Sequence, residues 1–163
     1  MRGDRTLHSA DWLTAVRRYL IVATAGNVVW ETAQAPLYTI WHTARASEVV
    51  LAIMHCSAGD ILIATVALVA ALTLVGSSAW PGQRFGAVLA ATVFFGAGYA
   101  VYSEYVNTAI RQNWTYTRWM PTLPWLGIGL TPLAQWLVIP SLALVWSCRA
   151  GRNHRSGVQR CTI

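Results

Sequence analysis

The sequence predicts an all-α protein, a four-transmembrane-helix bundle with both termini cytoplasmic, and three observations predict it. Hydrophobic residues fill 55% of the 163 positions and charged ones only 11%, a membrane composition. Four apolar segments reach the roughly 20 residues that a helix rising about 1.5 Å per residue needs to cross a bilayer. The basic residues, all of them Arg, flank these segments unevenly. Nothing is left over for a soluble domain, so residues 1–163 are read as one integral membrane domain with short basic ends.

The first span covers roughly residues 19–41 and carries the stretch NVVWETAQAPLY, with Pro36 near its outer end. The second, roughly 49–75, follows the polar connection His42 to Glu48 and contains HCSAGD. SSAWPGQR, rich in turn residues, separates it from the third, roughly 85–106, which ends in SEYVN. A longer connection, Asn107 to Pro124, leads to the fourth, roughly 124–146, with GIGLTPLAQW and the helix-bending Pro132.

Arg2, Arg5, Arg17, Arg18, Arg84, Arg149, Arg152, Arg155 and Arg160 fall on one side of these spans, and Arg45, Arg111 and Arg118 on the other. The positive-inside rule therefore places both termini in the cytoplasm. Trp80 and Trp146 would mark the inner interface, and Trp41, Trp114, Trp119 and Trp125 the outer one. The net charge of +6 is explained by orientation, which removes the reason to expect a nucleic-acid partner. Ala44-Arg45-Ala46 has the form of a signal-peptidase site, but the preceding apolar region is too long, and interrupted by Glu31 and Gln34, for a signal peptide. Cys56, Cys148 and Cys161 form no CxxC pair, and Cys56 lies across the membrane from the others, so neither a disulfide nor zinc is expected.

Asn27, Glu31, Gln34 and Tyr38 follow i, i+4, i+7, i+11 and so form one polar stripe on the first helix. The other three helices add His55 and Asp60, Glu104 and Asn107, and Thr131 and Gln135. Counted from the expected outer helix ends, Glu31, Asp60 and Gln135 lie roughly 15 Å deep, Gln34 and His55 roughly 10 Å, and Tyr38, Glu104 and Asn107 within roughly 5 Å. The result is a graded polar column opening outward. Each buried acid costs on the order of 2.5–3.5 kcal/mol at mid-membrane, and no Arg lies deep enough to neutralise Glu31 and Asp60. A proton shared between the two carboxyls is the arrangement expected.

Plainer roles exist for most of these groups. Asn27 and Gln135 suit hydrogen-bonding glue between helices, and Glu104 suits a solvated rim or pairing with Arg111 two turns on. Gly86 with Ala90, and Ala64, Ala67 and Ala71 on the face of Asp60, suit close helix packing. No metal or cofactor is expected, because adjacent His55 and Cys56 point apart on a helix and no second ligand cluster appears. Glu31 with Asp60 is harder to dismiss, since carboxyls inside a membrane are costly and usually functional. The aromatic connection QNWTYTRWMP reads either as an interfacial belt touching lipid headgroups or as a cap over the column.

HCSAGD, SEYVN followed by WTY, MPTLP and GIGLTPLAQW resemble a group of small uncharacterised four-helix inner-membrane proteins of bacteria, over nearly the whole chain. That resemblance implies the architecture and a bacterial inner-membrane location, and brings no assigned activity. The helix count and the histidine with buried acids are also similar to the sterol-isomerase type of membrane domain, without a shared motif. Three functions fit. In the first, the protein binds or acts on a lipophilic molecule, with Glu31 and Asp60 as proton donor and acceptor and His55 as relay. Gln34, Tyr38, Glu104, Asn107 and Gln135 would line that site, with Trp30 and Trp136 as apolar walls. The second is proton-coupled transport by a homodimer, and the third a structural or assembly subunit whose polar column only holds helices together; membrane lipids are expected partners in each, and a homo-oligomer is compatible with all three.

Overall fold

The computed structural model describes residues 2–152, and their side chains from 12 to 148. The described residues hold helices and two isolated β-bridges but no strand. Helix α1 runs Arg2–Gln34 and is followed by a 3-10 turn, Ala35–Leu37, and the short α2, Ile40–Thr43. Helices α3 (Ala46–Val75), α4 (Phe85–Tyr105) and α5 (Leu130–Arg152) complete the chain order. α1 packs against α5 and α3, and α4 against the same two helices.

Three helical stretches, Ala46–Val75, Phe85–Ile110 and Leu130–Cys148, are long and apolar enough to cross a membrane. Their outward faces carry Leu51, Met54, Leu62, Leu74, Phe94 and Leu142, each at least 60% exposed in the isolated chain. Water would not tolerate a surface of this kind, whereas lipid covers it without cost. α1 is not among the three, because its apolar stretch lies between Arg18 and the helix end at Gln34.

Two expected boundaries are corrected. The first span does not continue as helix to Trp41: Pro36 sits in the 3-10 turn, and Tyr38 is extended, with φ −102° and ψ 145°. The fourth does not begin at Pro124. Residues 124–129 are non-helical, with Gly127 at φ +63°, a conformation for which glycine is suited. Pro132 therefore falls in the first turn of α5, where a missing N–H costs nothing, and does not bend the helix. The proline inside α5 is Pro140.

The core explains further departures. Trp80 is only 2% exposed and packs with Tyr19, Leu68, Val88 and Leu144, so it belongs to the interior and not to an interfacial belt. Ala64, Ala67 and Ala71 are buried as expected, and the Tyr19 hydroxyl donates to the Ala64 carbonyl at 3.3 Å. Gly86 and Ala90 instead face outward on a shallow apolar groove. The inward face of α4 is Val88, Thr92, Gly96, Ala100 and Glu104, a strict four-residue spacing. Gly96 is required there, because a Cβ would overlap the Trp136 ring. Of the Arg residues used to orient the chain, Arg155 and Arg160 lie outside the described residues, as does Cys161; the side chains of Arg2, Arg5, Arg149 and Arg152 are likewise undescribed.

Candidate functional site: a capped polar cavity

At one end of the helices the two connections pack on each other. Tyr38 and Tyr116 form an antiparallel bridge with their rings 5.4 Å apart, the Thr39 N–H donates to the Thr115 carbonyl at 3.0 Å, and the Thr117 N–H donates to the Leu37 carbonyl at 2.9 Å. A second bridge, Thr122 with Gly129, closes the connection onto the start of α5. The Tyr116 hydroxyl donates to Glu104 and accepts from the Gly129 N–H, the latter at 2.9 Å. Residues 111–129 are thus fastened at once to the turn that follows α1, to α4 and, through the Leu130 N–H on the Pro121 carbonyl, to α5. Both tyrosines have phenol pKa values held above the usual range, first by burial and then by the nearby Glu104 carboxyl.

Beneath this cap is a cavity of about 500 Å³, lined by α1, α3, α4 and α5. Its inner end carries a connected set of polar groups. Gln135 Nε2 donates to Asn27 Oδ1 at 3.0 Å and to Asp60 Oδ2 at 2.8 Å, joining α5 to α1 and α3. Gln34 Nε2 donates to Glu31 Oε1 at 2.6 Å and, more weakly, to Gln135 Oε1 at 3.4 Å. Glu31 and Asp60 thus each accept from an amide of this set, from Gln34 and Gln135 respectively, and both line the cavity.

Of the residues singled out in the sequence, Glu31, Gln34, Tyr38, His55, Asp60, Glu104, Asn107, Gln135 and Trp136 all line this cavity. Trp30 does not; it is half-buried elsewhere on α1, because it precedes Glu31 and points to another face. Asn27 is buried behind the wall, bound to Gln135. His55 borders the cavity but is exposed and makes no hydrogen bond to either acid, which separates it from the relay geometry expected. Glu104 is 7% exposed and bound to Tyr116, so it is neither a solvated rim residue nor the partner of Arg111. The reason is local: α4 ends in a π-helical turn, Val106–Ile110, whose wider winding carries Arg111 off the Glu104 face. The column is also not open along its length. α1 and α5 end within about one or two turns of Glu31 and Gln135, and the connection covers the gap.

Sequence reasoning passed over Gly59, Gly96 and Cys56. Gly59 lines the cavity, and a Cβ placed on it would meet nothing within 4 Å. Gly96 was legible as a member of the four-residue spacing on α4, but its partner Trp136 was not. Trp114 lines the cavity, whereas Trp119 and Trp125 are 69% and 95% exposed, and Arg118 stacks over Trp119 at 4.7 Å. The aromatic connection therefore divides, with Trp114 lining the cavity, Tyr116 bound to Glu104, and Trp119 and Trp125 facing out. Among the described residues no three His, Cys, Asp or Glu side chains converge as metal ligands would. No family model, curated protein or solved structure matches the chain.

Proposed function

We propose that the chain is a multi-pass inner-membrane protein of bacterial type. All four long helices cross the bilayer, both termini are cytoplasmic, and a protonatable Glu31–Asp60 site lies beneath an extracytoplasmic cap. Its function is to bind, and in the enzymatic form of this reading to protonate or deprotonate, a lipophilic small molecule. The observation that carries the proposal is the cavity itself. It has the volume of a small-molecule site, apolar walls that include Val49, Ile53, Ile63 and Trp136, and two acids at the inner end to which no cation among the described residues is bound. A purely structural column would bury its polar groups against each other and leave no such space.

Gly59→Leu tests this reading, because the new side chain enters open space and fills the cavity without disturbing a hydrogen bond. Protein taken from host membranes into nanodiscs is extracted and the small molecules identified by mass spectrometry. The expected result is a lipophilic compound retained by the wild type and lost from the equally stable Gly59→Leu variant. Identical extracts from the two proteins would remove the proposal.

A further inference from the structure

A count of hydrogen-bond donors and acceptors at the inner end of the cavity shows what kind of molecule would complete it. Both hydrogens of Gln135 Nε2 go to Asn27 and Asp60, and both of Gln34 Nε2 go to Glu31 and Gln135. These partners are carboxyl or amide oxygens, so the orientation of each amide is fixed by its neighbours. Every donor of these two glutamine amides is used. One acceptor is left over: Gln34 Oε1, on a side chain 5% exposed that lines the cavity, is buried with no hydrogen-bond partner. An unfilled buried acceptor is costly, which makes it a pointer to a missing donor.

Charge narrows the choice further. In the shared-proton reading the Glu31–Asp60 pair carries one negative charge. Among the described residues no Arg bonds to either acid, His55 makes no bond to them, and Arg111 is an exposed residue lining the cavity. A neutral alcohol would fill Gln34 Oε1 and leave that charge uncompensated; a carboxylate would add a second charge and no donor. A primary ammonium supplies three N–H donors and one positive charge.

We propose that the cavity takes a lipophilic primary amine in its protonated form, the ammonium donating to Gln34 Oε1 and to the Glu31 and Asp60 carboxyls while its apolar body lies against Trp136 and Ile53. The inference rests on the ligand-binding reading above and deepens it. Binding requires no covalent step: the acid pair keeps its shared proton, and the ammonium matches its single negative charge.

The test uses protein in nanodiscs and four biphenyl probes of one shape: biphenylmethylamine, biphenylmethanol, biphenylcarboxylate and the trimethylammonium analogue of the amine. Gly59→Leu nanodiscs supply the background of partition into lipid. The amine is expected to bind about tenfold or more tightly than the alcohol and the quaternary analogue, with the carboxylate weakest. Gln34→Met should weaken the amine about tenfold, and the double variant Glu31→Gln/Asp60→Asn, which keeps the hydrogen bonds but removes the charge, should bring amine and alcohol within about twofold of each other. The double variant therefore carries the test alone if Gln34→Met fails to fold. Alcohol or carboxylate binding as well as the amine would overturn the ammonium inference while leaving the cavity as a ligand site. Equal binding of the quaternary analogue would overturn donation to Gln34. If no probe binds in a Gly59-sensitive way, the inference and the ligand-site reading both fall.

Discussion

Tyr116→Phe is the sharpest test of whether the aromatic connection is a built cap. The change removes one oxygen and leaves the ring stacked on Tyr38. That oxygen serves two groups at once, donating to Glu104 and accepting from the Gly129 N–H at 2.9 Å. Glu104 is 7% exposed, so water cannot readily replace the lost donor. A hydrogen bond to a charged or buried acceptor contributes about 1.5–3 kcal/mol, and a stranded backbone N–H costs about 1–3 kcal/mol, partly recovered here at the connection's edge. We therefore expect a loss of about 2–4 kcal/mol of stability. Reversible unfolding by increasing SDS fraction in mixed micelles measures it, with hydrogen exchange over residues 111–129 showing whether the loss is local. Trp125→Ala is the control; at 95% exposed it should change stability by less than about 0.5 kcal/mol. A Tyr116→Phe variant as stable as the wild type, with unchanged exchange in the connection, would refute the cap.

Three further outcomes follow from the same geometry. The phenols of Tyr38 and Tyr116 have folded-state pKa values raised above the unfolded one, so their contribution is complete below about pH 10 and lost as pH rises beyond it. Melting temperature should fall above that pH, and the fall should flatten when both are Phe; an unchanged slope would show that other groups cause it. Gly96→Ala should cost about 1–3 kcal/mol and alter Trp136 fluorescence, because the methyl overlaps the indole; a neutral substitution would contradict the close approach. In cells, membrane-impermeant thiol reagent should label a cysteine placed at Thr115 and not one at Ser77, in a background free of native cysteines, and the opposite pattern would invert the proposed orientation.

Much of the site was legible because helical periodicity is a strong signal. Asn27, Glu31 and Gln34 share one face by spacing alone, and that face meets Asp60 and Gln135. Equal depth of Glu31, Asp60 and Gln135, read from helix ends, agrees with their sharing one network. The errors fall where local backbone geometry overrides composition. Leu123, Trp125, Leu126 and Ile128 are apolar enough to extend the fourth span, yet the turn at Gly127 and the bridge to Thr122 make this piece part of the cap. The π-helical turn after Tyr105 leaves no compositional mark, so the Glu104–Arg111 alignment predicted by ideal winding does not form. Trp80 shows the limit of the belt rule, since a tryptophan beside a proline turn can fold back into the core as readily as sit at an interface.

In the proposed function Glu31 and Asp60 act through one shared proton and not merely as helix-packing groups. Infrared spectra of the protein at neutral pH, compared for wild type, Glu31→Gln, Asp60→Asn and the double variant, observe that proton through the carbonyl stretch of a protonated carboxyl. Gln and Asn keep the hydrogen-bonding shape, so all four proteins should fold, the variants being as stable as wild type or more so. The account predicts a protonated-carboxyl band in the wild type that shifts or vanishes in either single variant and is absent from the double. A spectrum without such a band, or a band indifferent to both substitutions, would contradict it.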